Sequence, residues 1–152
     1  MMTLHAAGGE KMLEAAVAAR EGESLPRLVG VTVLTSLERA DLQRMGQAGE
    51  PQEIVGRMAR VVQESGCDGV VASAHETAFI KQECDSELLV VTPGIRPAGA
   101  SVDDQARVAT VESAVEAGSD FLVVGRPILR APDPGLAAAQ IRAQIEKAYD
   151  AR

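Results

Sequence analysis

Aromatic residues are scarce in this 152-residue chain, which has one Tyr, two Phe and no Trp, so any core must be built from Val, Leu, Ile and Ala. Cysteine is equally sparse. Cys67 and Cys84 are too few for a disulfide framework or a metal knuckle, and both read as free thiols with no metal site implied. Basic charge is in deficit, with 15 Lys and Arg against 22 Asp and Glu for a net charge of −7. A phosphate backbone would meet no electrostatic funnel here, which excludes nucleic acid as a partner. No run approaches the ~20 apolar residues that cross a bilayer, and Met1 to Glu10 lacks the basic-then-apolar pattern of a signal peptide. The expectation is a cytoplasmic protein with no membrane partner. The bulk composition is ordinary for a globular chain, 46% apolar and 24% charged, and no linker composition divides it, so residues 1–152 read as one domain.

What the chain does have is a repeated alternation of short β-branched runs and longer helical patterns, the mark of βα units. The first run is Thr3 to Ala6, followed after Gly8-Gly9 by a helical pattern over Glu10 to Glu21. The second, Leu28 to Leu34, is nearly all apolar, as a parallel strand covered on both faces should be. Helices are predicted over Leu37 to Met45, with Ser36 as N-cap, and over Pro51 to Glu64, with Pro51 in the first turn. Strands at Gly69 to Ala72, Leu88 to Val91 and Phe121 to Val124 follow, with helices at His75 to Glu83, Asp104 to Ala117 and Leu136 to Tyr149. The stretch from Arg96 to Asp104 is too rich in Pro, Gly, Ala and Ser for regular structure.

At roughly 30 residues per unit, the chain holds about five parallel βα units of an α/β fold. Two architectures accommodate them. One is a complete small doubly wound sheet with its site at a strand-order switch. The other is a partial TIM (β/α)8 barrel, whose active site gathers at the C-terminal ends of the strands.

Two strand-end loops place glycine beside arginine. Gly94 and Gly125 let backbone approach a ligand, while Arg96 and Arg126 offer planar, permanently charged forks suited to phosphate or carboxylate. An anion site is one reading; surface arginines beside turns is the other. Gln105, after Asp103-Asp104, is either a carboxamide donor to phosphate or a first-turn helix residue. Thr35 closes the second strand and is assigned to the site, with Ser36 assigned to the cap. His5, at the end of the first strand, is a candidate acid or base, although a lone His is more often structural. His75-Glu76 reads as an exposed first-turn pair, and Gly8-Gly9 lacks the rest of a dinucleotide fingerprint.

Six segments in order carry a resemblance: Leu4-His5-Ala6-Ala7-Gly8-Gly9, Val31-Thr32-Val33-Leu34-Thr35-Ser36, Asp68-Gly69-Val70-Val71, Val91-Thr92-Pro93-Gly94-Ile95-Arg96-Pro97, Asp103-Asp104-Gln105-Ala106-Arg107-Val108 and Val123-Val124-Gly125-Arg126-Pro127-Ile128. Together they closely resemble bacterial orotidine 5'-phosphate decarboxylase, from about its fourth barrel strand onward. The resemblance implies a barrel enzyme of de novo pyrimidine synthesis, converting orotidine 5'-monophosphate to uridine 5'-monophosphate and carbon dioxide without metal or organic cofactor. On matching positions Arg96, Gln105, Gly125 and Arg126 would grip the substrate phosphate, and Thr35 would line the nucleotide pocket. The loop from Arg96 to Gln105 has the composition of a lid.

The chain departs from the family pattern in two places. Val111 stands where the family commonly has proline. More seriously, the family's decarboxylating network centres on an Asp-x-Lys-x-x-Asp motif at the third strand, and no such motif occurs in the 152 residues. Lys11, Lys81 and Lys147 all fall on predicted helices. The resemblance therefore predicts a chain that keeps the phosphate half of the site and does not decarboxylate alone, the alternative being a non-catalytic nucleotide-phosphate binding module. A third reading, a related barrel enzyme acting on a sugar phosphate, meets the same missing motif. Five of eight strands would leave two sheet edges and an aliphatic face uncovered, so homo-oligomerisation, pairing with a complementing N-terminal half, or poor folding is expected. A truncated gene, a split gene or a late start codon would account for it, and Met1-Met2 abuts the first strand.

Overall fold

The computed structural model describes residues 1–20, 26–96 and 109–151. Five strands, β1 (Met2–His5), β2 (Leu28–Val31), β3 (Gly69–Val71), β4 (Leu89–Thr92) and β5 (Phe121–Leu122), form one parallel sheet in the order β1-β2-β3-β4-β5. That order decides between the two architectures. A doubly wound sheet reverses its strand order at a switch point, whereas strictly sequential parallel strands are the wall of a barrel.

Seven α-helices alternate with the strands among the described residues: α1 (Glu10–Ala18), α2 (Arg39–Arg44), α3 (Pro51–Glu64), α4 (Ala74–Glu83), α5 (Val111–Glu116), α6 (Arg126–Leu129) and α7 (Pro134–Asp150), with a 3-10 turn at Ala6–Gly8. Helix α3 matches its sequence prediction to the residue. Pro51 opens it, and a reciprocal capping box joins Glu50 and Glu53. Its buried face, Ile54, Val55, Ala59 and Val62, packs on Leu28, Val70 and Val90 of the sheet in one aliphatic core. Gly30 makes the close approach possible, because a Cβ there would lie 2.3 Å from Val62 Cγ2. A second cluster, Ile95, Val111, Ala114 and Ile141, holds Leu122 and Val124 under α5 and α7.

Side chains alternate across a strand, so register assigns the opposite face. Leu28, Val70 and Val90 lie in the helix-side core, leaving Thr3, His5, Val29, Val31, Gly69, Val71, Leu89, Val91 and Phe121 on the concave side.

The predicted boundaries need several corrections. Strand β2 stops at Val31 rather than Leu34; just beyond it the Thr32 N–H donates a ladder bond to the Val71 carbonyl at 3.1 Å, and the Thr32 hydroxyl donates to the same oxygen at 2.8 Å. Ser36 is not a cap: α2 begins at Arg39, and Glu38 and Asp41 form the capping box. The helix predicted from Asp104 begins, within the described residues, only at Val111 behind the Thr110 cap, and Ala109 pairs with Ile95 as a β-bridge. Strand β5 ends at Leu122 rather than Val124, and a short helix, α6, follows where a loop was expected.

The N-terminal ends of the strands are locked by one device used twice. Asp68 Oδ2 accepts the Leu28 N–H at 2.6 Å and the Arg20 guanidinium at 2.7 Å, while the Asp68 N–H donates to the Leu28 carbonyl. Asp120 repeats this on Val90 at 2.7 Å, with Lys81 Nζ at 2.9 Å. A carboxylate joined to one backbone N–H and one cation in a half-buried setting contributes about 1–3 kcal/mol. Asp120→Ala should accordingly lower unfolding free energy by about that amount in urea titration, and Asp68→Ala similarly.

A hydroxyl cluster ties the C-terminal helix to the sheet. Thr92 Oγ1 and Ser119 Oγ lie 2.6 Å apart, both fully buried, and the Tyr149 hydroxyl donates to the Ser119 carbonyl at 2.8 Å.

Candidate functional site

The C-terminal ends of the five strands open on one rim, and the site residues named from sequence that fall in the described structure all sit there. Thr35, four residues beyond the end of β2, is 8% exposed. Arg96 and Arg126 occupy matching places on neighbouring strands: Thr92 pairs with Leu122 in the sheet, and each arginine follows its member of that pair by four residues. Arg96 is 8% exposed, and its Nη1 donates to the Ile95 carbonyl at 2.9 Å. Arg126 is half-buried as the first residue of α6.

The turn that carries Arg96 is shaped by Gly94, whose φ of 78° lies in the left-handed region that an L side chain resists. Both sides of the turn are pinned: the Arg96 N–H donates to the Ala109 carbonyl at 2.8 Å, and the Ala109 N–H donates to the Gly94 carbonyl at 3.3 Å. This two-bond ladder fixes the position of Arg96. Beside it, a Cβ built on Gly125 would meet nothing within 4 Å, so the backbone at the head of α6 faces open space. Gln105 and the predicted lid from Pro97 onward lie outside the described residues.

His5 ends β1 exposed on the concave side, not packed as a structural histidine would be. The His75-Glu76 pair is split: His75 is exposed, but Glu76 is 4% exposed, which corrects the expectation of an exposed pair. Sequence reasoning passed over Ser73, a buried rim hydroxyl that accepts the His75 N–H at 3.3 Å and caps α4. The available signal was Ser73 at a strand end with Glu76 three residues on, the spacing of a helix N-terminus.

The cysteines lie elsewhere, in the aliphatic core. Burial pushes the Cys67 thiol up, Asp68 adds to the rise and Arg20 opposes it; burial also raises Cys84. A thiol held neutral is a poor nucleophile. Both should react with iodoacetamide more slowly than free cysteine at pH 8, with Cys67 labelled only on unfolding, as mass spectrometry over a urea series would show.

No lysine reaches the rim. Lys11 and Lys147 are exposed on α1 and α7, and Lys81 is tied by Ser86, Leu88 and Asp120 to the opposite, N-terminal ends of the strands.

A profile of the Orotidine 5'-phosphate decarboxylase / HUMPS family matches residues 1–141. The chain belongs to this family. Within the decarboxylase family it is 54% identical over 151 residues to the orotidine 5'-phosphate decarboxylase of Halorhodospira halophila, covering 97% of this chain and 63% of that protein. It is 48% identical over 146 residues to that of Thermobifida fusca, covering 96% and 61%. The crystal structure of the Lactobacillus acidophilus orotidine 5'-phosphate decarboxylase superposes with a TM-score of 0.79 at 35% identity, over 94% of this chain and 62% of that one. The orotidine 5'-monophosphate decarboxylase of Sulfolobus solfataricus, at 21% identity and TM-score 0.67, shares the fold. The chain thus spans about three-fifths of the length of the decarboxylases it matches, and its five-stranded sheet is part of their barrel. No helix among the described residues is long and apolar enough to cross a membrane.

Proposed function

We propose that this chain supplies the phosphate-binding part of an orotidine 5'-monophosphate decarboxylating site, the carboxy-lyase step that yields uridine 5'-monophosphate and carbon dioxide. The observation that carries the reading is the matched placement of Arg96 and Arg126 four residues past one register pair, on adjacent rim turns. Two guanidiniums on neighbouring turns, one fixed by the Gly94–Ala109 ladder, suit a dianionic phosphate. Gly125 contributes an unobstructed backbone, Gln105 a carboxamide and Thr35 a hydroxyl at the nucleotide pocket. The ligand is a nucleotide monophosphate, with no metal or organic cofactor required. Binding energy gathered at the phosphate can be realised in the transition state at the distant pyrimidine, so this half of the site matters for rate as well as affinity.

A second reading, a nucleotide-phosphate binding module without turnover, is favoured by the absence of lysine from the rim. Calorimetric titration of the chain with uridine 5'-monophosphate tests what the two share. Arg126→Ala should weaken binding by about tenfold or more, the loss of one charge-assisted contact, and Arg126→Lys should recover only part of it. No heat of binding from the wild-type chain at millimolar nucleotide would overturn both readings.

A further inference from the structure

Strand β5 has the shortest pairing in the sheet. It is two residues long and shares two register pairs with β4, where the other neighbouring strands share three or four. Yet the offset between the two rim arginines is set across this pairing, since Arg96 continues from β4 and Arg126 from β5. Thr92 makes up for the short ladder. Its carbonyl accepts the Val123 N–H at 2.8 Å, just past the end of β5, and its hydroxyl meets Ser119 Oγ at 2.6 Å, two residues before the start. One residue of β4 thus holds β5 from both ends.

Each residue between Thr92 and Arg96 is also held. The ring of Pro93 locks its φ, the Gly94 carbonyl accepts the Ala109 N–H, and Ile95 is wholly buried against Val111, Ala114 and Ile141. On the other arm Ile128, two residues past Arg126, packs against that same cluster. A shift of Thr92 relative to β5 is therefore passed on to the arginines and not absorbed on the way.

Stability alone does not call for hydroxyls here. Thr92, Ser119 and Thr77 are all fully buried. Thr77 directs its single proton to the Ser73 carbonyl at 3.1 Å, so Ser119 is the donor at the 3.5 Å contact with Thr77, and Thr92 is the donor to Ser119. Replacing both partners of a buried hydrogen bond by apolar groups of the same shape is nearly neutral for stability. What the hydrogen bond adds over an apolar contact is one fixed distance and direction.

We propose that Thr92 is a positioning residue of the anion site: its hydroxyl bond to Ser119 fixes the offset of β5 on β4 at which Arg96 and Arg126 bind one phosphate group. The inference rests on the phosphate reading of those two arginines, and every contact it uses lies within this chain.

Calorimetric titration of the 152-residue chain with uridine 5'-monophosphate, well below the melting temperature, tests it. Thr92→Val keeps the shape and removes the hydroxyl; it should weaken binding about five- to tenfold while Tm stays within about 4 °C of wild type. Thr92→Ser, which keeps the hydroxyl, should bring Kd back to within about threefold of wild type. In an Arg126→Ala background Thr92→Val should cost less than about twofold, because the offset has no consequence once one arginine is left; a general loosening of the fold would cost the same in both backgrounds. If Thr92→Val melts much lower, the double variant Thr92→Val/Ser119→Ala, which removes both partners of the bond, takes its place. Wild-type affinity in the folded variant, or an equal loss in the two backgrounds, would overturn the proposal and leave the phosphate reading standing. No binding by the wild-type chain would overturn both.

Discussion

Given orotidine 5'-monophosphate, the purified 152-residue chain should turn it over at least about 10⁴-fold more slowly than a full-length relative. Loss of carbon dioxide leaves carbanion character at C6 of the pyrimidine, which must be stabilised electrostatically and then protonated. A positioned ammonium serves both needs, contributing roughly 10²–10³-fold through charge stabilisation and about 10²–10⁴-fold through proton transfer. The chain has three lysines, at positions 11, 81 and 147. Two are exposed on outer helices, and Lys81 is held at the wrong end of the strands by two carbonyls and Asp120. Neither rim arginine can substitute, since a guanidinium does not give up a proton at neutral pH. The assay is formation of uridine 5'-monophosphate, with Arg126→Ala as the control against a contaminating enzyme. Turnover within about tenfold of the full-length enzyme, abolished in that control, would show that the chemistry does not need the missing motif.

The largest effect on folding should come from Gly69→Ala. A Cβ at Gly69 would lie 2.4 Å from the Leu89 carbonyl oxygen and 2.7 Å from Leu89 Cβ, on the adjacent strand of the same register pair. These are atoms of the sheet itself, so relief requires the β3–β4 pairing to open. A loss of about 3 kcal/mol or more is expected, at the upper end of overpacking costs, with a fall in Tm of roughly 10 °C. Gly56→Ala is the informative contrast. Its Cβ would approach Phe79 Cε1 at 2.6 Å, but that ring is half-exposed and can swing away, and alanine is the better helix former by about 1 kcal/mol. Urea titration of the two variants should separate them by several kcal/mol, although both are Gly→Ala at buried positions. Equal stabilities would mean that the sheet yields as easily as a side chain.

The sequence reading succeeded where local chemistry and tertiary demand coincide. Pro51 starts α3 and the spacing of Ile54, Val55, Ala59 and Val62 continues it, so the helix was legible in the sequence, and the structure adds the Glu50–Glu53 capping box. Thr35, Arg96, Gly125 and Arg126 were legible as strand-end residues because each lies within four residues of the end of its strand. Ser36 misled because a serine before an apolar pattern looks like a cap, whereas a Leu37-to-Leu34 backbone turn intervenes and Glu38 with Asp41 caps the helix instead. The bridge between Ile95 and Ala109 was invisible, since pairing between residues well separated in sequence leaves no periodic trace. The burial of Glu76 was equally hidden, because a first-turn carboxylate is ordinarily solvated and only the neighbouring units cover it.

The hydroxyl bond from Tyr149 to the Ser119 carbonyl has a practical consequence. With no tryptophan and a single tyrosine in the chain, all fluorescence above that of phenylalanine originates at the point where α7 meets the base of β5. The protein therefore carries its own optical marker. A phenol that donates to a carbonyl emits differently from one in water, so tyrosine emission registers the release of the last helix by itself, separately from circular dichroism of the whole. Coincident curves from the two signals would mean that this junction and the aliphatic core under α3 melt as one cooperative unit.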